Sequence, residues 1–285
     1  MSKLKIAVQK SGRLHEGSMK LLKDVGIAIQ NGNNQLKASA QNFPLEVIYL
    51  RNSDIPKYLR DGIIDAAIIG ENLLIENGND ISVLEQLGFS KCKVSIAIPK
   101  DKNFSGISDL NGKQIATSYP NTVTQFLKSK NIEAQIHVIN GSVEVAPNLG
   151  LADVICDIVS SGNTLFKNNL KEVYQMFTSQ AVLAVSPVIS EESKIILNKL
   201  QFRIKSVLKG RNCNYILLNV PNAKLDNVLK VIPGMKSPTV LPLAKEGWCS
   251  VHSVIEKSSF WEIIDELKEN GAQGILVCPI ENMVI

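Results

Sequence analysis

The sequence predicts an α/β protein of two or three domains, the last a small ferredoxin-like unit. Three observations carry this. Short apolar strands alternate with amphipathic helices from the N-terminus onward, the run IIDAAII at 63–69 is nearly continuous in apolar residues, and 214–280 carries the order β-α-β-β-α-β. A strand apolar on both faces needs helices over both sides of its sheet. The order β-α-β-β-α-β is that of a ferredoxin-like domain. A length of 285 residues, 45% of them apolar, is enough for a substantial core.

The elements follow in order. KIAVQ (5–9) is a strand and KSGR (10–13) its loop. A helix over 14–25 places Leu14, Leu21, Leu22 and Val25 on one face, with Gly26 as its stop. LEVIYL (45–50) is a strand; Ser53 or Asp54 caps the turn after it, Pro56 suits its start, and Gly62 closes it. After the strand at 63–69, a second unit begins with KVSIAI (93–98). It continues through a strand at 114–118, a helix at 121–130, a strand at 135–139, a short element at 142–149 and a strand at 153–159. The segments 62–74 and 150–165 share Gly-x-x-Asp, an apolar strand, a glycine and Asn-x-Leu, a weak sign of two similar lobes around a cleft. A long helix over 191–209, capped by Ser190 and stopped by Gly210, leads to a boundary at 210–214. In the remainder, strands at 214–220, 237–243, 248–255 and 274–280 alternate with helices at 222–231 and 258–271.

Composition narrows the function classes. Thirty-one basic against 27 acidic residues give a net charge of +4, too small and dispersed for a nucleic-acid surface. Lys10, Arg13, Arg51, Lys91 and Lys93 could still form a local field for a small anion. The opening MSKLKIAVQKSGR carries no secretory pattern, and no apolar run is long enough for a bilayer, so no membrane partner is expected. Five cysteines are widely spaced: four lie in or beside apolar strands, with Cys213 in a polar turn, which reads as reduced, mostly buried thiols in a cytoplasmic protein. His15, His137 and His252 lack metal-ligand spacing and read as surface or packing residues.

The stretch DIVSSGNTL (157–165) leaves an apolar strand for a corner of small residues. It is either a structural turn or a backbone cradle for a phosphorylated ligand. Ser160, Ser161 and Gly162 can turn tightly, and Asn163 and Thr164 lead into a helix whose first N–H groups favour an anion. Asp157 could accept hydrogen bonds from sugar hydroxyls. Neither a Walker A ending nor a Gly-x-Gly-x-x-Gly fingerprint is present.

Taken with QKSGR (9–13), GENLL (70–74), IATSYP (115–120), NGSVEVAPNLGLADVICDIVSSGNTL (140–165) and SPTVLPL (237–243), the chain resembles the long form of ATP phosphoribosyltransferase over almost its whole length. The resemblance implies a two-lobed catalytic core like the type II periplasmic binding proteins, with a C-terminal regulatory domain. Lobe I would be 1–92 with 181–210 returning to it, lobe II 93–180, and the ferredoxin-like domain 214–285. It implies transfer of phosphoribosyl from 5-phosphoribosyl 1-pyrophosphate to N1 of ATP, with Mg²⁺ held mainly by substrate phosphates, in a cytoplasmic dimer or hexamer inhibited by histidine.

The implied roles map onto individual residues. Lys10, Arg13, Glu144 and Asp157 would act at the reacting centre. The sugar phosphate would meet Asp153, Asp157, Ser160, Ser161, Gly162, Asn163 and Thr164, with Asp153 an even choice between the ribose and the strand entrance. ATP would meet Lys10, Arg13, Arg51, Glu71 and Tyr119. Arg51 could instead pair with Asp54, Glu71 could start a helix, and Tyr119 could pack the hinge. Asn72 could organise the cleft by hydrogen bonding. Histidine would lie against Asn219, Met235, Ser237, Thr239, Val254 and Gly274. Asn219 stands where many relatives are acidic, which weakens the grip on an amino group.

Overall fold

Strand pairing in the computed structural model, which describes residues 2–29, 36–78, 80–232 and 237–284, builds three sheets. The chain divides into two compact units, Met1–Asn198 and Lys199–Ile285.

The first unit opens with β1 (Leu4–Gln9), α1 (Arg13–Asp24), β2 (Lys37–Ser39), β3 (Leu45–Leu50), α2 (Ile55–Arg60), β4 (Ala66–Gly70), α3 (Glu71–Asn77) and β5 (Ser82–Gln86). It continues with β6 (Cys92–Pro99), β7 (Gln114–Thr117), α4 (Pro120–Ser129), β8 (Gln135–Val138), β9 (Val154–Val159), α5 (Asn163–Lys167), β10 (Leu170–Ser179) and β11 (Ala181–Val185). One sheet has the order β2-β3-β1-β4-β11-β5 and the other β10-β6-β9-β7-β8. β1 runs parallel to β3 and β4, and β9 parallel to β7, which is parallel to β8. Parallel neighbours need crossover connections, so their carboxyl-end loops gather at one edge of each sheet.

Apolar periodicity decides what each helix buries. Leu14, Leu21 and Leu22 are the buried apolar residues of α1, and a fully buried leucine contributes about 1.5–3 kcal/mol. Ile55, Leu59 and Leu74 pack from α2 and α3 against Ala67, Ile69, Val182 and Ala184. In the second lobe Val123 and Leu127 of α4 pack with Ile115, Val154 and Cys156, while Leu165 packs with Val143, Ala146 and Ile155 in a separate cluster. The second sheet is thus covered on both faces.

The chain passes between the sheets twice, at 87–91 and at Gln180, and the two passages are joined. Ala181 N–H donates to the Phe89 carbonyl, and Leu87 N–H to that of Ala181, both at 2.9 Å. Helix α1 lies against this hinge at Gly17, where an added Cβ would stand 2.3 Å from the Phe89 ring.

The second unit contains the rest of α6 (Glu191–Asn212), whose start Ser190 caps with its hydroxyl on the Ser193 N–H at 3.2 Å. There follow β12 (Cys213–Pro221), α7 (Leu225–Val231), β13 (Thr239–Pro242), β14 (Trp248–Glu256), α8 (Phe260–Glu269) and β15 (Gln273–Pro279). Its antiparallel sheet, β13-β14-β12-β15, has the ferredoxin-like strand order. Val228 of α7 and Leu267 of α8 pack with Ile216, Leu218, Val220 and Val251.

Several expectations change. Gly210 does not stop α6, which runs through it to Asn212, and the division between units falls inside that helix. Cys213 begins β12 and is buried, because the strand starts one residue before the apolar run. β4 starts at Ala66, since the Asp65 carboxylate turns back to accept the Lys5 N–H at 2.7 Å. The edge strands β2 and β5 were not anticipated; both are short and largely exposed, so neither carries a strong apolar pattern.

Gly17→Val should lower stability by about 1–3 kcal/mol through overpacking against Phe89. Denaturant melts in wild-type and Phe89→Ala backgrounds check it. The loss should shrink when the ring is absent, and an equal loss in both would place the strain elsewhere.

Candidate active site

β9 ends at Val159, and after three intervening residues α5 begins at Asn163. That reversal uses Gly162 in the left-handed region, φ 75°. A Cβ at Gly162 would meet nothing within 4 Å, so backbone conformation, not space, selects glycine there. Ser160, Ser161, Asn163 and Thr164 are exposed around the turn. In so short a helix the first N–H groups, those of Asn163 and Thr164 among them, have no partner from helical pairing.

Asp157 stands half-buried two residues before the strand ends, with the Ile158 N–H donating to it at 2.8 Å. Burial pushes its carboxyl up to about 6, the neighbouring Glu144 carboxylate adding to the effect and the Ile158 N–H opposing it. Glu144 reaches this edge from the 3₁₀ turn Val143–Val145, which follows β8. Glu144 is thus near enough for its charge to act on Asp157.

The first lobe brings at least one cation to the same place. Gln9 pairs with Leu50, so Lys10 and Arg51 leave adjacent strand ends, and the Lys10 N–H donates to the Leu50 carbonyl at 2.9 Å. Arg13, the first residue of α1, donates from Nη1 to Ser160 Oγ at 2.9 Å across 147 residues. Arg51 makes no ion pair with Asp54 among the described residues; only the Asp54 N–H meets the Arg51 carbonyl, at 3.0 Å. Beside the hinge lies a cavity of about 540 Å³ lined by Glu71, Gln86, Lys91, Cys92, Lys93 and Ser160, among others. Glu71 also begins α3, the helix-start place expected of it. Lys93 is engaged by Glu172 at 3.4 Å.

Two expected residues lie elsewhere. Asp153 precedes β9 at the opposite edge, accepting the Gln114 N–H at 3.0 Å, and six strand residues carry the chain about 20 Å from there to the corner. It supports the strand entrance and not the ribose. Tyr119 is 6% exposed with its hydroxyl accepting from Asn72 Nδ2 at 2.9 Å, so it packs the junction of the lobes and presents no face for stacking. Burial raises its phenol pKa, and the Asp157 carboxylate raises it further. His15 is held through Nδ1 on the Gln9 carbonyl at 2.8 Å, His137 lies exposed in β8, and His252 is bracketed by Tyr215 and Ser250. Glu76 and Ser179 also bridge the lobes and carried no sequence signal of their own; Asn72, which they flank, did.

On the second unit, Asn219, Thr239 and Val254 lie on β12, β13 and β14, and the Asn219 amide stands 3.4 Å from where a Cβ on Gly274 would be. Ser237 precedes β13, and Met235 lies outside the described residues.

Residues 51–206 match the family model described as ATP phosphoribosyltransferase, and 211–282 the one described as HisG, C-terminal domain. The chain is similar to an ATP phosphoribosyltransferase of Cytophaga hutchinsonii, 53% identical over 99% of this chain and 98% of that one. One from Bacteroides fragilis is 50% identical over 99% of this chain and 100% of its own length. Among solved structures, the ATP phosphoribosyl transferase (HisG:HisZ) complex from Thermotoga maritima matches with a TM-score of 0.60 at 30% identity, covering 71% of this chain and 98% of that one. A histidine kinase sensor domain with similarity to periplasmic binding proteins matches with a TM-score of 0.50 at 12% identity, over 71% of this chain and 89% of that one, a likeness of fold alone.

The raised Asp157 carboxyl has a consequence for stability. Unfolded, it ionises near 3.8; folded, near 6. Between those values the unfolded chain has released a proton that the folded one keeps, so stability falls as pH rises through the window. Asp157→Asn should therefore stabilise the protein by roughly 1–3 kcal/mol at pH 7.5 and leave it unchanged below pH 4. Denaturant unfolding at both pH values measures it, and an equal effect at both would remove the burial argument.

Proposed function

The chain belongs to the ATP phosphoribosyltransferase family, in the long form that carries the C-terminal domain, and we propose that it transfers phosphoribosyl from 5-phosphoribosyl 1-pyrophosphate to N1 of ATP, a step of histidine biosynthesis. One observation carries this reading: a left-handed glycine turn, a half-buried carboxylate and an arginine from the opposite lobe meet at the end of β9.

The sugar 5′-phosphate sits on the main-chain donors of 161–164, with the hydroxyls of Ser160, Ser161 and Thr164 beside them. Asp157 accepts from the ribose hydroxyls, and Glu144 supports it from the neighbouring loop. Adenine N1 carries its own lone pair, so no covalent intermediate or catalytic triad is needed. The N1–C1 bond forms as the bond from C1 to pyrophosphate breaks, and positive charge builds on the ribosyl ring. The two carboxylates lie on the side where that charge develops. Lys10, Arg13 and Arg51, with Glu71 at the cavity wall, face the nucleotide and the leaving pyrophosphate; arginine can hold two oxygens at once.

Mg²⁺ fits this donor set. It would be bound chiefly by phosphate oxygens, with Asp157 and Glu144 as carboxylates at the corner; among the described residues no group of three His, Cys, Asp or Glu side chains could hold a metal. When bound it would neutralise and orient the pyrophosphate oxygens. No helix among the described residues is long and apolar enough to cross a membrane, and a cytoplasmic dimer or hexamer is the form we propose. Histidine, as inhibitor, would lie against Asn219, Ser237, Thr239, Val254 and Gly274.

Purified protein given ATP, phosphoribosyl pyrophosphate and Mg²⁺ should yield phosphoribosyl-ATP, identified by mass. No such product from folded protein would remove the assignment. Asp157→Asn and Gly162→Val should each cut turnover about 100-fold with the fold retained, and wild-type rates in both would put the sugar-phosphate site elsewhere. Histidine titrated into the same assay should slow it; an unchanged rate with no binding would reject the effector role.

A further inference from the structure

Helix α4 opens on a proline. Pro120 brings no N–H to the first position, so the leading free donors are the backbone N–H groups of Asn121 and Thr122. No side chain at the helix's own N-cap serves them; the N-cap residue is Tyr119. Both are taken by the carboxylate of Glu76, Asn121 N–H donating at 2.9 Å and Thr122 N–H at 2.8 Å. The Asn121 side-chain amide adds a bond to the Glu76 carbonyl at 3.1 Å. Glu76 is the sixth residue of α3, whose core packing belongs to the first lobe.

Burying a carboxylate is costly unless its oxygens are satisfied. Glu76 is 8% exposed and has no ion pair among the described residues. Its compensation is the pair of N–H donors and the positive end of α4. One turn earlier on α3, Asn72 is 3% exposed and bonds three ways. Its N–H donates to Ser179 Oγ at 2.9 Å, its Oδ1 accepts from that hydroxyl at 3.0 Å, and its Nδ2 donates to the Tyr119 hydroxyl at 2.9 Å. One helix face in the first lobe thus holds the start of α4, the residue before it and the end of β10.

A local serine or aspartate at position 119 would cap α4 without burying a charge. A cap lent by the other lobe does something more: it sets where α4 stands relative to that lobe. Thr117 lies opposite Cys156 in the β7–β9 pair, so the segment leading to Tyr119 runs beside Asp157. We propose that Glu76 is a positioning residue for the transfer: through α4 and Tyr119 it keeps the Asp157 corner in register with the Lys10–Arg13 loop. This rests on the reading that the Asp157 corner holds the sugar phosphate.

If so, losing Glu76 harms the step that needs both lobes more than binding to either one. Glu76→Gln keeps the volume but turns an NH₂ toward a backbone donor. In the full-length protein it should lower kcat at least tenfold, while the dissociation constant for phosphoribosyl pyrophosphate alone, by calorimetry, moves less than threefold. Glu76→Asp, with the charge on a shorter arm, should fall between, and supplies the measurement if the glutamine variant does not fold. Combined with Tyr119→Phe, which deletes the Asn72 bond, the loss should be smaller than the product of the single losses. A folded Glu76 variant with wild-type kcat and only a lower Tm would reduce the residue to a stabilising cap and overturn the proposal. Phosphoribosyl pyrophosphate affinity falling in step with kcat would overturn it too, by showing that the sugar site itself was lost. An inactive wild type would instead overturn the transferase reading.

Discussion

Between Val159 and Asn163 the chain must leave a buried strand and start a helix, and Gly162 in the left-handed region is what permits it. Most of the chemistry proposed for the cleft depends on that turn. It points three hydroxyls and a short run of main-chain donors outward at the carboxyl edge of the sheet. It also leaves Asp157 close enough to that edge to meet a ligand, yet buried enough to keep its proton toward pH 6. A carboxylate placed this way works against the fold. Its cost is the kind that proteins retain at functional sites and offset elsewhere.

The second requirement is that the corner face something. Parallel pairing in both sheets gathers loops far apart in sequence onto two edges, 10–13 and 51–54 on one, 118–120, 139–146 and 160–163 on the other. The backbone crosses between the sheets twice, and these crossings pair with each other. Side chains then fix the approach: Arg13 on Ser160 at the open side, Asn72 on Tyr119 and Ser179, and Glu76 on the start of α4. A ligand held by both edges would add to this set without needing new loops.

Much of this was legible in the residues. LEVIYL gave β3 to the residue, and the corner at 157–165 stood out because small polar residues follow an apolar run abruptly. Periodicity does not say which end of a strand faces the cleft, and Asp153 shows the cost of ignoring that, since it enters β9 where Asp157 leaves it. The return of β11 to the first sheet came from family resemblance, because its apolar run AVLAV would suit either sheet. Tyr119 beside a proline gave no burial pattern at all. Glu76 was invisible for a different reason: its partners lie 45 and 46 residues away. The one clue was indirect, a helix that starts on proline without a polar cap of its own and must find one elsewhere.

The most direct test is a structure of the protein with phosphoribosyl pyrophosphate bound. The 5′-phosphate should lie within hydrogen-bond reach of the N–H groups of 161–164, with a ribose hydroxyl on Asp157. A sugar phosphate anchored at another loop, with the end of β9 bare, would contradict the assignment of this corner and the chemistry built on it.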